Sequence, residues 1–202
     1  MTIISKIKLI AAAGAAWGDW FQMIWSIGLV VLAVVLVIEG VQVIFKKKEA
    51  KKLRILFVDQ KNDYVSQIAE HYAKEMFFDL YEVYSAGPEC DFVDCEMISS
   101  LYQNGEDIRT AVSKDFKNDE LLPKDGEYDY VIYLEKPVFD EWASKTPWQG
   151  KQILAPMRLR SEYTATDDLE LFQDYTRTME EVRKWVKENM KEPEGLASMV
   201  SA

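Results

Sequence analysis

The nineteen residues from Trp20 to Ile38 (WFQMIWSIGLVVLAVVLVI) carry no charge, and no other feature limits this chain's possible structures so strongly. Continued through VQVIF to Phe45, the run reaches 26 residues and is interrupted only by Glu39. As a helix it would extend roughly 39 Å at about 1.5 Å per residue, enough to cross a hydrocarbon core of about 30 Å with some tilt. Trp17, Trp20 and Trp25 gather at one end like an interfacial belt, and a lysine cluster closes the other. The pattern predicts one transmembrane helix over 20–45. Residues 1–19 form an N-terminal flank in which Ile3, Ile4, Ile7 and Ile10 would give one face of an interfacial helix. A cleaved signal peptide fits less well, because the longest apolar run follows the candidate cleavage region and ends in KKK. A buried core helix would show a polar face, which this run lacks.

The flanks set the orientation. Lys46, Lys47, Lys48, Lys51, Lys52 and Arg54 follow the run, against Lys6 and Lys8 before it. By the positive-inside rule the chain is a single-pass membrane protein with its C-terminal domain in the cytoplasm. Residues 46–52 are a short basic linker attracted to anionic headgroups. The expected partners are the lipid bilayer and other membrane-protein subunits, one of which Glu39 could pair with. A net charge of −10 argues against nucleic acid, whose phosphates need clustered cations. Two cysteines, Cys90 and Cys95, are too few for a disulfide scaffold and fit a reducing compartment.

From residue 53 onward the pattern changes to alternating strands and helices. Leu53–Val58 is a near-continuous apolar strand of the kind buried on both faces. A helix follows from about Ser66 to Phe77, with Ile68, Tyr72 and Met76 on one face. Tyr81–Ser85 is a second strand, Met97–Asn104 a short helix stopped by Gly105, and Phe116–Leu122 a helical turn before Pro123. Tyr128–Leu134 is a third strand, Val138–Ser144 a further turn, and Lys151–Leu154 a fourth strand. Asp167 and Asp168 cap a long helix to about Met190. This order predicts an α/β fold, a four-stranded parallel sheet flanked by helices over 53–192. Residues 193–202 read as a flexible tail.

The stretch ILFVDQKNDYVSQIAE, residues 55–70, runs a strand into a helix N-terminus, where unpaired N–H groups and the helix dipole favour an anion. The loop nevertheless holds two carboxylates, Asp59 and Asp63, and no arginine. Together with Asn62, Ser66, Ile68-Ala69-Glu70, Ser85-Ala86-Gly87 and the YDYVIYL strand, it resembles the low-molecular-weight protein tyrosine phosphatases, a family that also includes the thioredoxin-linked arsenate reductases. The family's Val-Cys-x5-Arg-Ser pattern, laid on this chain, puts Asp59 at the nucleophile and Val65 at the phosphate clamp. Its general acid, the Asp of an Asp-Pro pair, falls at Ala155 before Pro156. The resemblance therefore implies the fold with a degenerate catalytic set.

These substitutions predict a pocket filled by its own Asp59, lined by Asp59, Gln60, Lys61, Asn62, Asp63, Tyr64 and Ser66, with no catalytic residue, cofactor or metal. An Asp at a helix N-terminus satisfies the loop's donors and repels phosphate. The function expected is that of a catalytically inactive, membrane-anchored accessory, scaffold or regulatory subunit of a membrane complex. The alternatives are a divergent phosphatase or aspartyl-phosphate phosphotransferase, with Lys61 as the loop's cation, and a module binding a cation or other small ligand. The lone His71 lies on the first helix with no Cys or His cluster around it and reads as a surface or half-buried residue, not as a metal ligand. Tyr163 and Tyr175 fall where the family places aromatic residues beside its cleft, although packing accounts for them equally. Cys90 and Cys95 read as structural thiols, since a thiol relay has no first member here.

Overall fold

The computed structural model describes residues 51–145 and 148–200, together with positions 18, 23, 24, 27, 31, 32 and 34–37, which are helical and exposed. The chain divides into two compact units, Met1–Lys51 and Lys52–Ala202. Among the described residues no helix is long and apolar enough to cross a membrane. Most of 1–50, including the interfacial-helix flank and the bulk of the 20–45 span, lies outside them, as do 146, 147, 201 and 202.

The second unit is built on four parallel strands, β1 (Leu53–Val58), β2 (Tyr81–Ala86), β3 (Glu127–Tyr133) and β4 (Gln149–Leu154), in the order β2-β1-β3-β4. The helices are α1 (Val65–Phe77), α2 (Cys95–Gln103), α3 (Lys136–Trp142), α4 (Asp168–Asn189) and α5 (Pro193–Ser198). The apolar run of β1 divides by the two-residue period of a strand. Ile55 and Phe57 join the core under α1 and α4, whereas Leu56 and Val58 join a second core with Tyr128, Val131, Tyr133 and Val138. These four residues of β1 are fully buried, so the apolar run Ile55–Val58 reflects a sheet covered on both sides. The sequence-predicted four-stranded α/β fold is present.

Helix ends follow local chemistry. Asp94 caps α2, its Oδ1 accepting from the Glu96 and Met97 N–H groups, and Asp167 caps α4 through the Glu170 N–H. Gly105, at φ 89°, takes the chain out of α2. Two expectations change. The segment Phe116–Leu122 forms turns instead of a helical turn, because the Asn118 side chain accepts from the Glu120 and Leu121 N–H groups and diverts the backbone. Residues 193–198, read as part of a flexible tail, form α5, with Pro193 at its start and Leu196 fully buried in the main core.

Arg54, counted above among the flanking positive charges, is a strand residue. Its guanidinium lies 2.9 Å from Glu82 and 2.5 Å from Asp125, and its N–H donates to Asp129 at 2.7 Å. It fastens the start of β1 to its neighbours.

Candidate functional site

The loop 59–64 joins the C-terminal end of β1 to the N-terminus of α1. Asp59, the first residue past the strand, is 1% exposed. Its Oδ1 accepts the Asn62 N–H at 2.6 Å and its Oδ2 accepts the Ser66 N–H at 2.9 Å. Tyr64, at the N-cap position, makes no side-chain capping bond. Asp59 thus takes over the capping role from upstream, and its carboxylate holds donors of the kind that an anion at a helix N-terminus would use.

The loop is also bound to itself and to its surroundings. Asn62 adopts φ 49°, a left-handed conformation that Asn tolerates better than most residues. Its Nδ2 donates to Ser66 Oγ at 2.8 Å, while its Oδ1 accepts from Gln67 Nε2 and from the Lys114 N–H. Gly87 closes the far side. A Cβ there would lie 2.8 Å from the Asp59 carbonyl oxygen and 2.9 Å from the Asn62 nitrogen, so only glycine lets the end of β2 approach the loop this closely. Ser85 hydrogen-bonds Glu70, whose carboxylate also meets the buried Lys114 ammonium at 3.1 Å. Lys114, Lys74 and Ser85 together hold the Glu70 carboxyl below its usual range against the opposing effect of burial.

The structure places the three positions that the resemblance read as degenerate. Asp59 occupies the loop, Val65 is fully buried in the α1/α4 core, and Ala155 follows β4 with its N–H donating to the Tyr133 carbonyl at 2.9 Å. Of the other pocket residues, Asn62 and Ser66 join Asp59 in one network. Gln60 contributes its carbonyl to the Glu89 N–H. Lys61 is turned away: its ammonium pairs with Asp91 at 2.8 Å on the surface, so the loop lacks the cation that the phosphotransferase alternative assigned to it. Tyr64 meets Tyr163 and Tyr175 edge to face, and all three pairs have centroids between 5.4 and 6.3 Å apart. Cys90 and Cys95 are free and exposed instead of packed as structural thiols.

Acidic groups crowd the site. Burial chiefly pushes the Asp59 carboxyl up to about 6, against the downward pull of its bonds to Ser66 and Asn62. Asp63 is also raised, again chiefly by burial. Glu135, just after β3, is pushed up to about 7, by burial first and by the Asp59 charge second, while a backbone bond from Gln60 pulls it back. Sequence reasoning missed Glu135. It missed Asp94 as well, whose Oδ2 accepts from the Tyr175 hydroxyl at 2.6 Å and from Arg160 at 2.5 Å, tying the start of α2 to α4. The position of Glu135 at the C-terminal end of a parallel strand was the one available signal.

The sheet order, the strand–loop–helix site and the Ser-Ala-Gly closure define a low-molecular-weight phosphatase-like α/β fold. One solved structure shares this fold. A low-molecular-weight protein tyrosine phosphatase from T. tengcongensis superposes at TM-score 0.50 with 20% identity, covering 67% of this chain and 96% of that one. A tyrosine phosphatase from Erwinia amylovora gives 0.48 and 18%, covering 69% and 95%, and an arsenate reductase in its reduced state gives 0.49 and 20%, covering 67% and 94%. No protein-family model matches the chain, and no curated protein matches it.

Proposed function

We propose that this chain is a membrane-anchored protein whose phosphatase-like domain works without catalysis, as an accessory, scaffold or regulatory subunit of a membrane complex at its cytoplasmic face. The observation that carries the non-catalytic part is the pair of hydrogen bonds by which Asp59 fills its own loop. A phosphate ester entering that loop would have to displace a carboxylate from the Asn62 and Ser66 donors. It would find Val65 where the resemblance puts a guanidinium. Loss of such a charge-assisted bidentate contact costs on the order of 2.7–4 kcal/mol of anion stabilisation. With its carboxyl near 6, Asp59 is mostly ionised at neutral pH and repels the dianion as well.

The phosphotransferase alternative fares worse. Aspartate nucleophiles work beside a divalent cation and a lysine, whereas both Asp59 oxygens here accept backbone N–H groups and Lys61 pairs with Asp91. The same engagement weakens the cation-binding alternative at this loop. The anchoring part rests on the uncharged run of 20–45 and its basic flank.

The direct test uses the full chain in detergent with p-nitrophenyl phosphate across pH 5–8. The expected result is no hydrolysis above background and no shift in melting temperature with inorganic phosphate. Hydrolysis that disappears in Asp59→Asn would overturn the proposal.

A further inference from the structure

Away from the loop, α1 places His71 and Glu75 one turn apart on a single face. Glu106, just beyond the left-handed Gly105, comes in from the other side, its position fixed by a bond from its N–H to the Leu101 carbonyl. His71 Nε2 lies 3.0 Å from Glu106 Oε2 and 4.0 Å from Glu75 Oε2, and the three donor atoms all fall within 4.8 Å of one another. In a tetrahedral shell with bonds of about 2.0–2.2 Å, donor atoms stand roughly 3.3–3.5 Å apart. The observed spacings bracket that value, so modest side-chain adjustment brings all three onto one ion.

We propose that His71, Glu75 and Glu106 form a binding site for a divalent transition metal, with Zn2+ the ion best suited to one imidazole and two carboxylates. Two further observations favour an ion over a simple histidine–glutamate hydrogen bond. Among the described residues neither Glu75 nor Glu106 forms an ion pair with Lys or Arg, so two negative charges flank the imidazole without compensation. His71 also lines a cavity of about 310 Å³, which leaves room for ligands beyond the three protein donors.

The site has a structural consequence. It fastens the segment after α2 to α1, and that same segment delivers Ser113 Oγ to the Lys61 carbonyl and the Lys114 N–H to Asn62. Metal binding therefore stiffens the support of the Asp59 loop from outside it. The proposal does not depend on whether that loop is catalytic.

The test is calorimetric titration of ZnCl2 into the full chain in detergent, stripped with chelator and carrying Cys90→Ser and Cys95→Ser to remove the exposed thiols. One saturable site is expected. His71→Ala and Glu75→Gln should each weaken it by at least the 10–100-fold that loss of a mere outer-shell partner costs. Co2+ in place of Zn2+ should give the intense visible bands of a four-coordinate ion. Glu75 is largely exposed, so Glu75→Gln keeps the fold and decides the matter even if His71→Ala does not fold. Absence of saturable binding, or undiminished binding in Glu75→Gln, would overturn the proposal.

Discussion

The unusual residue in this domain is Asp59, a carboxylate where a parallel α/β loop would ordinarily receive an anion from outside. Burial penalises its charge, the Asn62 and Ser66 N–H groups offset part of that penalty, and the balance leaves the carboxyl near 6. Glu135 has only a single backbone bond to set against burial and its neighbour's charge, and stands higher, near 7. Its ordinary value of 4.5 applies in the unfolded chain. Between pH 4.5 and 7 the folded state therefore binds the Glu135 proton more readily, and the contribution of Glu135 to stability falls as pH rises through that window and levels off above it. Glu135→Gln should remove the penalty. At pH 8 the variant is expected to be more stable by about 1–2 kcal/mol, a figure reduced for partial solvent screening. The gain should fade as pH drops towards 4.5, and urea denaturation at several pH values checks it. Glu135 was not legible beforehand, since its significance depends on a spatial neighbour 76 positions away in the chain (Asp59 to Glu135). Asp59 and Val65 drew attention beforehand because they sit at fixed offsets in one local motif, and the structure adds that both are buried.

At the scale of elements, the strands were the readable part. β1 and β3 carry β-branched and aromatic residues in runs too dense for a half-exposed sheet, and burial on both faces follows directly. The helical turn expected over Phe116–Leu122 failed because an Asn side chain competed locally for the backbone donors. The tail expectation failed for a different reason. One buried leucine in a short, polar, glycine-containing segment is a tertiary contact with no periodic trace, yet α5 forms by inserting Leu196 into the core. The Ser-Ala-Gly turn shows the opposite case, in which a short motif carries a strict steric demand. Gly87→Ala would put a methyl group within 2.9 Å of backbone atoms of Asp59, Asn62 and Glu89. Backbone cannot yield as a flexible side chain can, so the substitution should cost about 1–3 kcal/mol. It should also speed amide hydrogen exchange at Asn62 and Ser66 relative to α4. Wild-type stability with unchanged exchange would mean that the loop and the β2 end are not held in this contact.

For the whole molecule, the proposed function gives the two parts of the chain different solvents. The long uncharged run and its basic flank call for a bilayer and anionic headgroups, while the remainder, in a chain of net charge −10, calls for water. On that proposal, tethering within a few residues of a membrane would suit a docking role, because confinement near a partner raises the effective concentration without any new contact. Glu39, the single charge in the 26-residue run, adds a specific reason to expect a neighbour, since an acid in hydrocarbon is usually paired or faces a polar interior. Two measurements follow from this reading. Membranes washed at alkaline pH should retain the full chain, and protease added from the cytoplasmic side should remove the C-terminal domain. After mild detergent extraction from its native membrane, the chain should migrate on a native gel well above the 23.4 kDa of a single copy plus its detergent. Glu39→Ala should shift it towards the monomer while leaving the melting temperature of the α/β domain unchanged. A monodisperse monomer in both forms would rule out the complex and leave a tethered domain without a partner. A larger species insensitive to Glu39 would keep the complex and move its contacts to the cytoplasmic domain.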